Sequence, residues 1–267
     1  MYLQYLSYIF VFVLGLIIGS FLNVYILRLH TGKDTKGRSS CASCGKALVW
    51  YELVPIVSFI FLKGRCSKCK TRISFQYPLV ELSAAILFLL LWTYIDDTKL
   101  ALLSFPLAAL SVVIASYDIK HKIIPQELIY ATFVNVLLLL LYKLYFYTQS
   151  GLLINTLQTI LESELFFALP IFLLWFLTRG KAMGFGDVKL TFALAPLLGG
   201  FAKAWTALTL SFVSGAVLSL LYLAYSKIGS RSKLTLKSEV AFGPFILLAF
   251  WFVYLSGISF YDIINLL

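Results

Sequence analysis

Asp118 and Asp187 are the residues whose type and setting most suggest chemistry. The first lies in Ile114-Ala115-Ser116-Tyr117-Asp118-Ile119-Lys120, the second in Met183-Gly184-Phe185-Gly186-Asp187-Val188-Lys189. The chain is 61% hydrophobic and only 13% charged, and both aspartates sit where a long apolar run meets a short basic one. A carboxylate at a membrane edge is costly to desolvate, so it marks function by default. Two of them on one side of a membrane could share a proton and activate water, because close carboxylates cannot both ionise. The ionised member would take a proton from the attacking water, and the protonated member would donate to the scissile carbonyl oxygen. Gly184 and Gly186 would let a substrate strand pass close to the backbone.

Each aspartate also has a structural reading. Asp118 can be a helix-end residue paired with Lys120 or Lys122, and Asp187 can be the N-cap of the next helix. A proton-coupled transporter also uses membrane acids, though nearer the midplane, and a non-enzymatic assembly factor is a further alternative. His30 and His121 stand in basic loops without metal-ligand spacing and are expected to be solvated. The chain has no Gly-x-Ser-x-Gly, P-loop or Rossmann pattern.

All four cysteines fall in one stretch, Cys41-Ala42-Ser43-Cys44 and Cys66-Ser67-Lys68-Cys69, with 21 residues between the pairs. Two such knuckles suit tetrahedral zinc, each supplying two thiolates from a tight turn. Gly45 and Gly64 flank the knuckles where the turns need a permissive backbone. Four sulfur ligands would close the coordination shell, so Cys41, Cys44, Cys66 and Cys69 are expected to form a structural site, with redox-active or unligated thiols as the alternatives. In a reducing compartment disulfides are the poorer reading. The apolar segment between the pairs, with Trp50, Tyr51, Val54, Ile56, Val57, Phe59 and Ile60, admits two readings. It packs as a small core on the knuckles, or it lies on the membrane surface and helps receive a membrane-embedded substrate.

The elements that must position these groups are apolar helices. Eight spans fit, at roughly 3–27, 78–95, 100–117, 127–147, 160–178, 188–202, 204–226 and 241–264, so the fold class is an all-α polytopic membrane bundle with a small cytosolic zinc-knuckle loop. The organisation expected is a first helix at 1–27, the four-cysteine zinc-binding loop at 28–77 and a membrane bundle at 78–267 that carries both aspartates. The first run has no basic region before it and reads as a retained helix rather than a cleaved signal. The stretch 188–226 is too long for one crossing, and Gly199-Gly200 offers the break. With that break, 19 Lys and Arg fall on one side and Lys99, Lys143 and Lys203 on the other. The asymmetry places the basic side in the cytosol, and with it Asp118 and Asp187. The net charge of +10 is therefore a topology signal and does not call for nucleic acid.

The ordered motifs resemble the bacterial type IV prepilin peptidases, the bifunctional leader peptidase/N-methyltransferase family. They are Gly19-Ser20-Phe21-Leu22-Asn23-Val24 with Arg28-Leu29, the two cysteine pairs with Gly64-Arg65-Cys66, and Tyr77-Pro78-Leu79-Val80-Glu81-Leu82. Asp118 with Ile124-Pro125, Met183 to Leu190, and Phe242-Gly243-Pro244-Phe245 complete the set. Ala42, His30 and Gln126 depart from it, standing where many members have Pro, Pro and Asp. The resemblance implies a GxGD-type membrane aspartic peptidase with Asp118 and Asp187 as the catalytic pair and the four cysteines as zinc ligands. It implies type IV prepilins or pseudopilins as substrates, cut after a glycine at the cytosolic face of the inner membrane. It also implies methylation of the new N-terminus from S-adenosylmethionine. Membrane lipid is an expected partner, and no oligomeric state is assigned.

Overall fold

The computed structural model describes residues 2–29, 37–149, 153–228 and 240–264. Among these residues there is no β-strand, only two isolated bridges, and six helices are long and apolar enough to cross a membrane. The chain divides into two compact units, Met1–Ser116 and Tyr117–Leu267.

In the first unit, α1 (Tyr2–Arg28) packs on α3 (Gln76–Tyr94). Small residues set their spacing. A Cβ added at Gly15 would lie 2.5 Å from Ala85 Cα, and one at Gly19 would lie 2.6 Å from Glu81 Cα. In lipid, where apolar burial does not drive association, such close backbone approach supplies the packing. The pairing 15 with 85 and 19 with 81 makes the helices antiparallel. It is pinned by Asn23 Nδ2 donating to Tyr77 O at 3.0 Å and, at the far end, by Trp92 Nε1 donating to Ser7 Oγ at 3.1 Å. The cysteine hairpin lies between them, with a 3-10 turn at Trp50–Glu52 and the short α2 (Val57–Phe61). The helix α4 (Thr98–His121) starts beyond Asp97, whose Oδ1 accepts Lys99 N at 2.9 Å as a cap, and it runs into the second unit.

The second unit holds α5 (Gln126–Gln149), α6 (Leu153–Ser163) and α7 (Leu169–Thr178), the last two joined through a π-helical turn at Glu164–Ala168. They form one span, Ile154–Thr178, that starts earlier than the sequence boundary of 160. The following elements are α8 (Phe185–Leu194), a 3-10 turn at Ala195–Leu197, α9 (Phe201–Ile228), α10 (Gly243–Ser256) and α11 (Phe260–Ile264). The expected break at Gly199-Gly200 is present, with φ of 83° and 109°. Ser163 Oγ accepts Gly200 N at 2.8 Å and Glu162 Oε2 accepts Phe201 N at 3.1 Å, so α6 caps α9. Two elements are shorter than the apolar runs suggest. At 1.5 Å per residue the ten residues of α8 reach about 15 Å, half a hydrocarbon core of about 30 Å. Gly257, with φ 67°, ends α10 at Ser256.

Candidate active site and metal centre

Asp118 stands in the last turn of α4 and Asp187 in the first turn of α8. Both are buried, and both line one cavity of about 200 Å³ with Lys122, Ile124, Gly184 and Gly186. The N-cap of α8 is Gly184, and Asp187 lies three residues on, with its N–H donating to Gly184 O at 3.2 Å. No ion pair joins Asp118 to Lys120 or Lys122 among the described residues. Its Oδ2 instead accepts the backbone N–H of Gly243 at 3.1 Å. Two buried carboxylates thus line one small cavity, with no ion pair to either among the described residues.

Three contacts fix this arrangement. Gly243 opens α10, and a Cβ there would stand 2.8 Å from Asp118 Oδ2, so any other residue would displace the carboxylate from its present place against the amide. A Cβ on Gly186 would come within 3.2 Å of Ile124 Cβ, which presses the second aspartate segment against the loop after α4. Lys189 Nζ donates to Gln126 Oε1 at 2.8 Å and lies 4.8 Å from the Phe185 ring centroid. Gln126, the departure from the resembled pattern, thus serves as a neutral acceptor that joins α5 to α8. Sequence reading saw Gly243 only as part of a motif. Nothing in the sequence pairs it with a residue 125 positions earlier.

In the first unit the four cysteine sulfurs lie within 4.8 Å of one another. Cys41 Sγ and Cys69 Sγ are 3.8 Å apart. That matches the edge of a tetrahedron with Zn–S bonds of about 2.3 Å, and the spread of up to 4.8 Å lets the four thiols close on such an ion with small side-chain adjustments. The two turns repeat each other with an offset of 25 residues. Ser40 bridges Ala47 as Arg65 bridges Arg72, and Cys41 N donates to Lys46 O as Cys66 N donates to Thr71 O, each at 2.9 Å. Gly45 and Lys70 occupy matching positions with φ of 67° and 58°. The Thr71 hydroxyl and N–H hold the Cys69 thiol down to about 6. The Lys46 N–H favours the Cys44 thiolate, but burial and the three neighbouring sulfurs push it up to about 11. Neighbouring thiols favour the first thiolates and oppose the later one at Cys44, and a dication would relieve that opposition.

Glu52, not singled out in the sequence, ties the turns together. Its Oε1 accepts Lys46 Nζ at 2.8 Å and the Ser67 hydroxyl, and its Oε2 accepts Val49 N at 3.1 Å. The Lys46 ammonium, the Ser67 hydroxyl and the Val49 amide hold its carboxyl down to about 2. His121 is exposed and stacks on Tyr117 at 4.3 Å between ring centroids. His30 lies outside the described residues, as does most of the basic stretch 227–237.

Together these features define a polytopic helical membrane protein with a paired-carboxylate pocket and a four-thiol turn pair. Residues 13–95 match the Bacterial Peptidase A24 N-terminal domain, and residues 105–223 match the Type IV leader peptidase family. A protein of Myxococcus xanthus named Prepilin leader peptidase/N-methyltransferase is 34% identical over 85% of this chain and 67% of its own length. Proteins of the same name from Stutzerimonas stutzeri and Vibrio cholerae are 31% and 28% identical, covering 92% and 95% of this chain and 89% and 98% of their own. The chain belongs to the type IV leader peptidase family. No solved structure matches it.

Proposed function

We propose that this protein removes the short basic leader of type IV prepilins or pseudopilins, cutting after a glycine with Asp118, Asp187 and one water. The observation that carries the reading is the shared cavity, in which two buried carboxylates from separate helices meet at helix ends. A volume of about 200 Å³ admits several waters at about 30 Å³ each. One aspartate, ionised, takes a proton from water as its oxygen bonds to the scissile carbonyl carbon. The other, protonated, donates to the carbonyl oxygen. The tetrahedral carbon then collapses, the C–N bond breaks and the amine leaves with a proton from the dyad. Burial excludes competing ion pairs, and the Gly243 amide holds the Asp118 carboxylate in place.

The site faces the cytosol of the bacterial inner membrane in this reading, in keeping with the excess of Lys and Arg in the loops on that side. Residues 1–27 form the first membrane helix, 28–77 the zinc loop and 78–267 the peptidase bundle. Cys41, Cys44, Cys66 and Cys69 hold a structural zinc ion, which folds a hairpin too small to be stable by burial alone. The same chain N-methylates the freed N-terminus, with S-adenosylmethionine as the methyl donor. The described residues contain no sheet or glycine-rich strand–helix turn of the kind that binds nucleotide-like cofactors, so no residue is assigned to the donor. A transporter reading fits less well, because the paired acids end helices at one face rather than lining a mid-membrane path.

The test is purified protein in proteoliposomes with a prepilin-like peptide, read by mass. A shortened product is expected, with a further gain of one methyl group when the donor is supplied. Asp118→Asn and Asp187→Asn proteins should insert and fold but leave the peptide whole. Cleavage by either variant would remove the dyad from the mechanism.

A further inference from the structure

We propose that the cysteine hairpin is seated in the surface of the lipid bilayer through an outward apolar face made by Trp50, Tyr51, Val57, Ile60 and Phe61. Of the two readings the sequence leaves open, a core on the knuckles or a membrane face, the structure divides the residues. Phe59 turns inward, and a Cβ on Gly64 would lie 3.1 Å from its ring. Val57, Ile60 and Phe61 share the opposite stripe of α2 at i, i+3 and i+4, and Ile60 and Phe61 are 66% and 82% exposed. Trp50 joins them at 79% exposed, with Tyr51 against it edge to face at 5.8 Å. A hairpin standing free in water would turn such a stripe inward.

Two tethers set the depth of this face. The amide of Ile56 donates to Glu81 Oε2 at 2.7 Å. Glu81 is five residues into α3, a membrane-length apolar helix that begins at Gln76. Five residues advance about 7.5 Å along a helix axis, and helical side chains lean back toward the N-terminus. The hairpin therefore meets α3 within its first turn or two, at the level where hydrocarbon gives way to headgroups. Phe75, immediately before α3, meets the Phe59 ring at 5.4 Å and holds α2 to the same level from a second point. Ile56 keeps the left-handed φ of 59°, costly for a β-branched residue, to present its amide to Glu81.

The chemistry of the face matches one occupant. Trp and Tyr belong at a membrane–water boundary, where an apolar ring and a polar edge are both satisfied. Lys63, Arg65, Lys68, Lys70 and Arg72, in and beside the second knuckle of the same hairpin, are exposed, whereas the buried Glu52 is neutralised by Lys46. The hairpin therefore carries an excess of exposed positive charge suited to anionic headgroups. Beside the stripe lies an open hollow of about 400 Å³, mostly apolar through Tyr51, Val54, Val57, Phe61 and Leu62 with Glu52 and Ser58 as its polar members, a place for an acyl chain. The anchoring stands whether or not the dyad cleaves prepilins.

The experiment uses the full-length protein in nanodiscs of phosphatidylglycerol brominated on its acyl chains, with unbrominated nanodiscs as reference. The fluorescence lost in Trp50→Phe isolates Trp50 from the other four tryptophans of the chain. That difference signal should be largely lost in the brominated discs and resist aqueous iodide. In an Ile60→Glu/Phe61→Glu protein it should become open to iodide and escape bromine. A Trp50 signal quenched by iodide and untouched by bromine in the wild type would overturn the proposal. So would one shielded from both quenchers, which would mean that protein covers the face.

Discussion

Replacing Gly243 by alanine tests how the structure sets its first aspartate. The Gly243 N–H reaches Asp118 Oδ2 at 3.1 Å, and a Cβ on residue 243 would stand 2.8 Å from the same oxygen. Real Cβ contacts essentially never fall below 3.0 Å, so the carboxylate must move, and Ile124 Cδ1 at 3.4 Å limits where the methyl can go. Gly243 is not among the glycines with positive φ, so alanine brings no backbone strain. Within the first turn of α10 alanine is the better helix former by about 0.5–1 kcal/mol. The fold should therefore survive while the site shifts. A hydrogen bond to a charged acceptor is worth about 1.5–3 kcal/mol, and each 1.36 kcal/mol is tenfold in rate, so kcat/KM for peptide cleavage should fall by roughly 10- to 150-fold. Initial rates of product formation in proteoliposomes give the ratio, and thermal unfolding in detergent shows that the bundle is intact. A folded Gly243→Ala protein cleaving at the wild-type rate would refute the view that this amide positions Asp118.

Purified protein should carry about one zinc per chain by elemental analysis, and Cys66→Ser/Cys69→Ser should lose it; wild-type protein prepared without chelator and free of metal would count against the site. Glu52 supplies a pH-dependent prediction. Its folded value of about 2 lies below the ordinary carboxyl value, so its stabilisation is complete above the unfolded value and lost as the pH falls toward the folded one. The stability advantage of wild type over Glu52→Gln should therefore shrink from about pH 4.5 downward. Thermal unfolding of both proteins across that window checks this, and a constant gap would contradict it.

The apolar runs make six of the spans legible, since length and hydropathy act locally, and the Gly199-Gly200 break follows from backbone freedom that only glycine offers there. Cysteine spacing likewise brings four sulfurs together, because each knuckle is a local turn. What the sequence hides is set by distant partners. Asp118 and Asp187 can be read as acids at helix ends, but their common cavity depends on α4, α8 and α10 meeting. Glu52 reads as an ordinary acid in a basic loop until Lys46 and Ser67 are placed beside it. Lys70 in the left-handed region has no signature, since lysine ordinarily avoids that conformation. The π-turn at Glu164–Ala168 is invisible to periodicity because five residues barely disturb an apolar run. The shortness of α8 escapes hydropathy for the same reason, as Ala195-Pro196-Leu197 stays apolar while leaving the α-helix.

The antiparallel seam of Gly15 and Gly19 against Ala85 and Glu81 has a consequence for the entropy of folding the first unit. Once α1 and α3 zip together, Asn23 and Tyr77 are joined and the hairpin becomes a closed ring. The entropy of bringing its ends together has then already been spent. Within that ring the two knuckles are 21 residues apart, so bringing the four sulfurs together closes a loop nested inside a larger one. Closure cost grows only with the logarithm of loop length, and each nested closure leaves less for the next. With the helices paired, drawing the four sulfurs together therefore costs less entropy than it would in an open chain.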